Sequence, residues 1–179
     1  MIIFKSIDKL NKEINLVKNI GFVPTMGSLH KGHISLINKS KKMGYKTLVS
    51  IFVNPKQFNN KKDFLNYPRN IAKDLEILKK TKANYVLVPQ YTDIYEKKEQ
   101  TKFKISKKDK IMCAKFRPGH FEGVLDVISR YLLKIKVKSM FLGEKDYQQF
   151  FIIKKYIKDK FNVKIINCKT IRHNNLRAY

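Results

Sequence analysis

Residues 21–42 read GFVPTMGSLHKGHISLINKSKK, and the rest of the chain can be interpreted outward from this stretch. The apolar residues Ile20, Phe22 and Val23 predict a buried strand that ends at Pro24. A turn of small residues follows, and a helix is then predicted to run to Gly44, a residue suited to the position just past a helix. In a strand–turn–helix unit, free backbone N–H groups and the helix dipole can face an anion.

The HKGH sequence puts two histidines, His30 and His33, beside this turn. Histidines placed there can donate hydrogen bonds to phosphoryl oxygens as charge develops on them. Gly32 between them would let a nucleotide approach the backbone closely. An isolated H-x-x-H pair is also common as a surface or capping feature, and a metal site would need a third ligand that the neighbouring sequence lacks. The position directly after a buried strand favours the phosphate-binding interpretation.

The overall composition predicts one domain with reduced thiols. A chain of 179 residues can bury one good core, and no stretch approaches the roughly 20 apolar residues of a membrane span. The N-terminus becomes charged too early for a secretory signal. Cys113 and Cys168 are too few for a disulfide framework or a metal site. We therefore expect a cytoplasmic protein with no membrane partner.

The formal net charge of +25 is the strongest compositional feature. Such a charge is typical of proteins that bind nucleic acid or another polyanion. Only five of the 39 basic residues are arginine, however, and the lysines are spread over every segment rather than clustered. A basic nucleic-acid-binding protein therefore stays an alternative, and no specific nucleic-acid partner is expected.

Short apolar runs alternate with helical patterns along the whole chain. This alternation predicts an α/β fold with a doubly wound parallel sheet. The segment 56–68 is predicted to be a polar loop, and a helix is predicted from 70 to 80 with Ile71, Leu75 and Leu78 facing inward. Phe103 and Ile105 suggest a short strand, whereas the rest of 90–112 is left unassigned. The predicted strands cover residues 2–4, 20–23, 47–53, 85–88, 139–142 and 163–166.

Polar residues follow the strands at the edge where open α/β sheets bind ligands. Gln57 follows one strand, and Lys145, Asp146 and Gln149 follow another. Glutamine side chains both donate and accept hydrogen bonds, so Gln57 and Gln149 suit a hydroxy acid. Lysine at a helix start opposes the dipole unless an anion sits there. Asp146 is predicted either to orient ribose hydroxyls or to cap the helix.

Five stretches of the chain together carry a family resemblance. They are PTMGSLHKGH, VSIFVNPKQF, DFLNYPR, RPGHFEGV and GEKDYQQ, in this order along the sequence. With them the chain resembles the pantothenate synthetase (pantoate–β-alanine ligase) family of the H-x-G-H nucleotidylyl-transferase superfamily. The resemblance extends from Ile3 to about Arg172. It implies a Rossmann-like nucleotide-binding catalytic domain over residues 1–179.

The resemblance also implies a reaction and its cofactors. In this family ATP, with Mg²⁺, reacts with pantoate to give pantoyl adenylate and pyrophosphate. β-Alanine then displaces AMP to give pantothenate, in the pathway to coenzyme A. The resemblance further implies a homodimer formed through this domain.

The site residues follow from matching positions in the five stretches. His33 is implied to be a proton donor, and His30 and Lys145 are implied to act with it at the phosphates. Gln57 and Gln149 are implied to hold pantoate, and Ile171 to contact adenine through its backbone. Metal ligands stay unknown. The residues implied to bind ATP are Met26, Gly27, Ser28, Leu29, His30, Lys31, Gly32, His33, Gly143, Glu144, Lys145, Asp146 and Ile171.

The chain departs from the family after Arg172. There the family continues with an acidic, glycine-containing turn, a Ser-Ser-Arg-Asn segment that holds the ATP phosphates, and a small C-terminal lid domain. This chain continues only from His173 to Tyr179, so the lid domain is expected to be absent. We expect such a chain to bind ATP weakly and to turn over poorly. The alternatives are a truncated, weakly active or inactive ATP-binding domain of that enzyme, or another nucleotidylyl transferase.

Overall fold

The structure is a computed structural model that describes residues 1–95 and 103–179. Within these residues, no helix is long and apolar enough to cross a bilayer. The strands are β1 (Ile2–Phe4), β2 (Ile20–Thr25), β3 (Lys46–Ile51), β4 (Tyr85–Leu87), β5 (Ser139–Gly143) and β6 (Lys164–Cys168). The α-helices are α1 (Ile7–Ile14), α2 (Lys31–Lys42), α3 (Lys61–Asn66), α4 (Ile71–Thr81), α5 (Tyr91–Ile94), α6 (Cys113–Phe116), α7 (His120–Lys134) and α8 (Tyr147–Phe161).

All six strands pair in parallel, in the order β1-β4-β3-β2-β5-β6. The chain builds one half of the sheet from β2 towards β4 and then returns to add β5 and β6 on the other side of β2. The strand order therefore reverses between β2 and β5, and ligands of such sheets bind beyond the carboxyl ends of strands at this point. The predicted doubly wound parallel sheet is confirmed.

Helices cover both faces of the sheet, and each face has its own buried cluster. One cluster packs α1, α7 and α8 against residues such as Phe22 and Met140. The other packs α2 and α4 against residues such as Val23 and Phe141. Because both faces are buried, the central strands are almost continuously apolar, as expected for a parallel sheet.

The prediction that Pro24 ends the second strand is wrong, since β2 continues through Pro24 to Thr25. The carbonyl oxygen of Ile20 accepts a hydrogen bond from Lys138 on the β5 side, whereas that of Thr25 accepts one from Phe52 on the β3 side. Because alternate residues of a strand face opposite neighbours, Pro24 faces β5. The pairing of β2 with β5 has already ended at Phe22, so the missing N–H of proline costs no ladder bond there.

Three other expectations also need correction. The 56–68 segment is not an irregular loop, because it contains a 3₁₀ turn at Pro55–Gln57 and helix α3. Helix α4 turns Asp74 and Leu78 inward and leaves Ile71 exposed. Residues 103–106 form no strand, although Ile105 is buried in the core. Residues 96–102 of the unassigned 90–112 segment lie outside the described part of the chain.

Candidate active site

A crevice opens where the strand order reverses, beyond the carboxyl ends of β2 and β5. It consists of two adjoining chambers of about 150 and 270 Å³. The smaller chamber extends towards Ile171 and the C-terminal segment, and the larger extends towards Gln57 beneath α7. Residues that line both chambers are Pro24, His30, His33, Leu142, Lys145, Asp146 and Gln149. Two small ligands could therefore meet at this shared wall.

The turn before α2 is held by a residue that the sequence analysis missed. The buried carboxylate of Asp74 accepts hydrogen bonds from the N–H groups of Ser28 and Leu29, at 3.0 and 2.8 Å. Gly27 has φ +84°, and a Cβ atom there would lie 2.8 Å from the Asp74 carboxylate. These two N–H groups therefore anchor the turn to α4 and are not free to face an anion, contrary to the expectation from the sequence.

The two histidines at the start of α2 are fixed in one tautomer. The Nδ1 atom of His30 accepts a hydrogen bond from the Gly32 N–H at 3.1 Å, and that of His33 accepts one from the His30 N–H at 3.4 Å. Because each Nδ1 is an acceptor, each neutral ring carries its proton on Nε2. The ring centroids lie 4.1 Å apart. The pair can therefore present two N–H donors to the crevice.

Both histidines are neutral at pH 7. Burial lowers the pKa of His33 to about 4, assisted by the nearby charges of His30 and Lys145. Burial and the charges of Lys145 and His173 lower the pKa of His30 in the same way. Neutral rings donate hydrogen bonds without bringing charge, so the fixed positive charge at this wall is that of Lys145.

Gly32 has a structural role beside the one expected from the sequence, which stays a prediction. A Cβ atom at this position would lie 2.8 Å from Cε1 and 2.9 Å from Nδ1 of the His30 ring. The space above Gly32 is thus occupied by the capping histidine itself. Glycine is needed here so that His30 can fold back over the first turn of the helix.

Gln57 lies in the wall of the larger chamber and is held on both sides. Its Oε1 accepts a hydrogen bond from Asn54 at 3.2 Å, and its Nε2 lies 2.8 Å from Sδ of Met26. The fully buried Asn54 also donates to the Gly123 carbonyl at 3.1 Å and accepts from the Tyr95 hydroxyl at 2.8 Å. Asn54 therefore sets the orientation of the Gln57 amide.

The buried pair of Asp126 and Arg130, together with the exposed Lys56, supports Tyr95 from behind. Asp126 pairs with Arg130 at 2.7 Å and with Lys56 at 3.2 Å. The Lys56 ammonium and the Arg130 guanidinium lie 4.0 and 4.6 Å from the centre of the Tyr95 ring. Burial raises the pKa of Tyr95, so its hydroxyl stays protonated and donates to Asn54. The only signal for this group in the sequence is the i,i+4 spacing of Asp126 and Arg130.

Helix α7 presses directly against the segment that carries Gln57. A Cβ atom at Gly123 would lie 2.3 Å from the Lys56 carbonyl oxygen and 2.9 Å from the Gln57 nitrogen. His120, which is buried, bonds the Gln57 carbonyl oxygen through Nδ1 at 2.7 Å. The RPGHFEGV stretch thus positions the wall of the larger chamber, and an isolated glycine inside a predicted helix was the available signal.

The third segment brings Lys145, Asp146 and Gln149 to the shared wall. Asp146 precedes α8, but its side chain makes no capping hydrogen bond, so the capping alternative is wrong. Ile171 lines the smaller chamber, and its carbonyl oxygen accepts a hydrogen bond from the Tyr179 N–H at 3.1 Å.

The crevice brings together most of the residues implied by the sequence. Met26, His30, Gly32, His33, Gly143, Lys145, Asp146, Ile171, Gln57 and Gln149 all line one or both chambers. Among the residues described in the structure, the lining does not include Gly27, Ser28, Leu29, Lys31 or Glu144. Their part in ATP binding stays a prediction. In the same described part of the chain, no group of three or more His, Cys, Asp or Glu side chains could hold a metal ion.

Comparison with known proteins decides the family. The family model described as pantoate-beta-alanine ligase matches residues 2–179. The chain belongs to the pantoate–β-alanine ligase family. Pantothenate synthetase from Pseudothermotoga lettingae is 40% identical over 176 residues, which are 96% of this chain and 63% of that protein. Its counterpart from Francisella tularensis subsp. novicida is 45% identical over 180 residues, covering 96% and 68%.

Solved structures of the family share the fold. The chain matches a pantoate-beta-alanine ligase from Francisella tularensis, complexed with beta-gamma ATP and beta-alanine, at a TM-score of 0.95 and 41% identity. It matches pantothenate synthetase from Thermus thermophilus at a TM-score of 0.94 and 29% identity. The whole of this chain is covered in both matches, against 70% and 65% of the two solved chains. The chain thus spans about two thirds of the length of these ligases.

Proposed function

We propose that the protein joins pantoate to β-alanine at the expense of ATP, through a pantoyl adenylate, and releases pyrophosphate and AMP. One observation carries the proposal. A crevice at the strand-order reversal joins a wall of His30, His33 and Lys145 to a chamber walled by Gln57 and Gln149. Family membership supports the same reaction, as does the Francisella tularensis ligase, whose solved structure is a complex with beta-gamma ATP and beta-alanine. In this proposal residues 1–179 form the nucleotide-binding catalytic domain.

The first step is transfer of the adenylyl group. An oxygen of the pantoate carboxylate bonds to the α-phosphorus of ATP, and the bond from that phosphorus to the bridging oxygen breaks to release pyrophosphate. Catalysis of such an in-line displacement consists chiefly of positioning and neutralising charge. The Nε2–H groups of His30 and His33 donate to the phosphate oxygens, and the Lys145 ammonium supplies the positive charge.

Pantoate occupies the larger chamber in this account. The amides of Gln57 and Gln149 hydrogen-bond its hydroxyl and carboxylate groups, since each amide can donate and accept. The apolar side chains of Val127 and Ile128 line the same chamber and suit the two methyl groups of pantoate. The carboxylate then points to the shared wall, where the nucleotide enters from the other side.

The second step consumes the adenylate. The neutral amine of β-alanine attacks the pantoyl carbonyl carbon, the bond to the AMP oxygen breaks, and the amine nitrogen loses a proton. A mixed anhydride hydrolyses readily, so water must be kept from the crevice.

Helix α3 packs Phe64 against Phe58 with ring centroids 5.5 Å apart, beside the entrance at Tyr67. We assign the segment from 56 to 68 the role of lid.

Mg²⁺ would accompany ATP rather than occupy a dedicated protein site. This ion usually binds through one or two carboxylates together with substrate phosphates. Asp146, whose carboxylate makes no capping bond and lines both chambers, suits this role. Bound Mg²⁺ would neutralise phosphate charge.

We further propose that the protein works in the cytoplasm as a homodimer. Light scattering of the purified chain would test the dimer.

Pyrophosphate release in the absence of β-alanine tests the proposal. The chain is mixed with ATP, Mg²⁺ and pantoate, and pyrophosphate is followed by a coupled assay. We expect a burst of pyrophosphate that requires pantoate, and AMP release once β-alanine is added. His33→Ala should retain the fold and lose most of the burst, because one donor of this kind contributes about 10²–10³-fold to the rate. A chain that binds ATP yet releases no pyrophosphate with pantoate would contradict the proposal.

A further inference from the structure

Helix α3 of the proposed lid contributes no buried residue to the core of the domain. It has six residues, Lys61–Asn66, whereas isolated helices shorter than about 12–15 residues are only marginally stable in water. Neither its length nor burial in the core therefore explains why this segment is helical. Its stability must come from the two ends of the helix and from contacts within the lid itself.

Side chains cap both ends of α3. At the N-terminal end, the Asn60 side chain accepts a hydrogen bond from the Lys62 N–H at 2.8 Å. At the C-terminal end, the exposed Arg69 guanidinium donates to the carbonyl oxygens of Phe64 and, at 3.1 Å, of Leu65. Carbonyl groups in the last turn of a helix have no partner within the helix. Arg69 therefore supplies hydrogen bonds that α3 cannot make for itself.

The same arginine ties α3 to the entrance of the crevice. Its guanidinium lies 4.6 Å from the centre of the Phe64 ring and donates to the Tyr67 carbonyl oxygen at 3.4 Å. The Phe64 and Tyr67 rings both pack edge-on against Phe58, with their centroids 5.5 and 5.6 Å from its own. Tyr67 lines the larger chamber, whereas Arg69 is not among the described residues that line either chamber. Arg69 thus organises the lid from outside the crevice.

The chemistry of this cap requires arginine. The guanidinium is a planar fork with several N–H donors in fixed directions, so one side chain can reach the three carbonyl oxygens of Phe64, Leu65 and Tyr67. A lysine ammonium is a compact point charge and cannot span them in the same way.

We propose that Arg69 is a positioning residue that keeps α3 folded at the entrance of the crevice and so protects the adenylate from water. This inference rests on the proposed function, because the adenylate is the intermediate at risk. If water enters, its oxygen bonds to the pantoyl carbonyl carbon and the bond to the AMP oxygen breaks. Pantoate, AMP and a proton are then released. An unfolded lid would therefore consume ATP without joining pantoate to β-alanine.

Hydrogen exchange followed by mass spectrometry tests the capping role independently of activity. The peptide that spans residues 61–69 is compared in the wild-type chain, Arg69→Gln and Asn60→Ala. We expect exchange to be about tenfold faster in Arg69→Gln and about fivefold faster in Asn60→Ala, from the loss of one cap each. The melting temperature should stay close to wild type, because α3 buries no residue in the core. Lys62→Gln is the control, since it removes one positive charge from α3 and leaves both caps in place; it should exchange as the wild type does.

The ratio of AMP released to pantothenate formed tests the consequence for the reaction. At limiting β-alanine, the wild type should release about one AMP per pantothenate. Arg69→Gln should release AMP in excess, and its steady release of AMP without β-alanine should be about tenfold faster. Its initial burst of pyrophosphate should keep the wild-type amplitude, since Arg69 touches neither substrate. Arg69→Lys should lie between the two, and Lys62→Gln should match the wild type.

The outcomes separate this inference from the proposed function. Wild-type exchange in both Arg69→Gln and Asn60→Ala would overturn the capping role. Faster exchange with an unchanged ratio of AMP to pantothenate would overturn the protection of the adenylate. A smaller burst with a raised KM for ATP or pantoate would show that Arg69 binds a substrate directly, which also overturns it. Wild-type protein that releases no pyrophosphate with pantoate would contradict the proposed function, whereas the exchange data would still decide the cap.

Discussion

Gly123→Ala tests how the larger chamber, in which we place pantoate, is held in position. The new methyl group would lie 2.3 Å from the Lys56 carbonyl oxygen and 2.7 Å from its carbon, against an ordinary contact of 3.4 Å or more. Both neighbours are backbone atoms, so the segment Pro55–Gln57 must move by about 1 Å. Overpacking of this kind costs about 1–3 kcal/mol, whereas alanine in a helix gains about 1 kcal/mol over glycine. The net loss of stability is therefore small.

The effect on binding should be much larger than the effect on stability. A displacement of about 1 Å in a positioned group can cost 10²-fold, and Gln57 moves with its backbone. We expect calorimetry to show pantoate affinity reduced about 100-fold, with ATP affinity and far-UV circular dichroism close to wild type. Gly44→Ala is the control, because φ is +79° there and no atom lies within 4 Å of its Cβ. It should lose stability and bind pantoate normally. Wild-type pantoate affinity in Gly123→Ala would refute the reasoning.

Three further predictions concern the nucleotide wall. Gly143→Ala should keep the wild-type melting temperature, because no protein atom lies within 4 Å of the new Cβ. Its affinity for ATP, measured by calorimetry, should fall about tenfold or more, because the methyl group fills part of the crevice. Asp74→Asn should lower the free energy of unfolding by about 1–3 kcal/mol in urea titrations, because the single amide oxygen cannot replace the two carboxylate oxygens that accept from Ser28 and Leu29. Affinity for ATP should fall as well. A variant as stable as the wild type would contradict the role of Asp74 in holding the turn. The pKa of His33 falls from 6.5 to about 4 on folding, so below pH 6.5 the unfolded chain binds a proton that the folded chain does not. The free energy of unfolding should therefore drop by about 3 kcal/mol between pH 6.5 and 4, and His33→Gln should flatten that drop. An equal drop in His33→Gln would contradict the burial of the His33 ring.

The sheet could be predicted from the sequence because each strand is short, apolar and bounded by turn residues. The error at Pro24 came from treating proline as a stop in every strand. Proline is tolerated where its missing N–H would face a neighbouring strand that no longer pairs at that position. The end of the pairing between β2 and β5 is a property of the assembled sheet and leaves no local pattern in the sequence. In helix α4 the prediction was right for Leu78 and for the partly buried Leu75 and wrong for Ile71, because the spacing 74, 78, 81 is as helical as 71, 75, 78. The inward side was decided by the bonds of Asp74 to a turn 45 residues away.

The site could be predicted where its residues follow strands directly. His30, His33, Gln57 and Lys145 meet at one crevice because parallel strands end at one edge of the sheet. Asn54 follows a strand too, but the contacts that hold it could not be found in this way. Asn54 is bonded by Tyr95, 41 residues along the chain, and such long-range contacts leave no local pattern in the sequence.

Transfer of an isotope from pantoate to AMP tests the central claim most directly. Pantoate labelled with ¹⁸O in its carboxylate is incubated with the chain, ATP, Mg²⁺ and β-alanine, and the AMP is examined by mass spectrometry. An adenylate formed in the crevice requires that one carboxylate oxygen leave with AMP. We expect AMP that carries one ¹⁸O atom in its phosphate. Unlabelled AMP, or label found instead in pyrophosphate, would contradict attack of the pantoate carboxylate on the α-phosphorus.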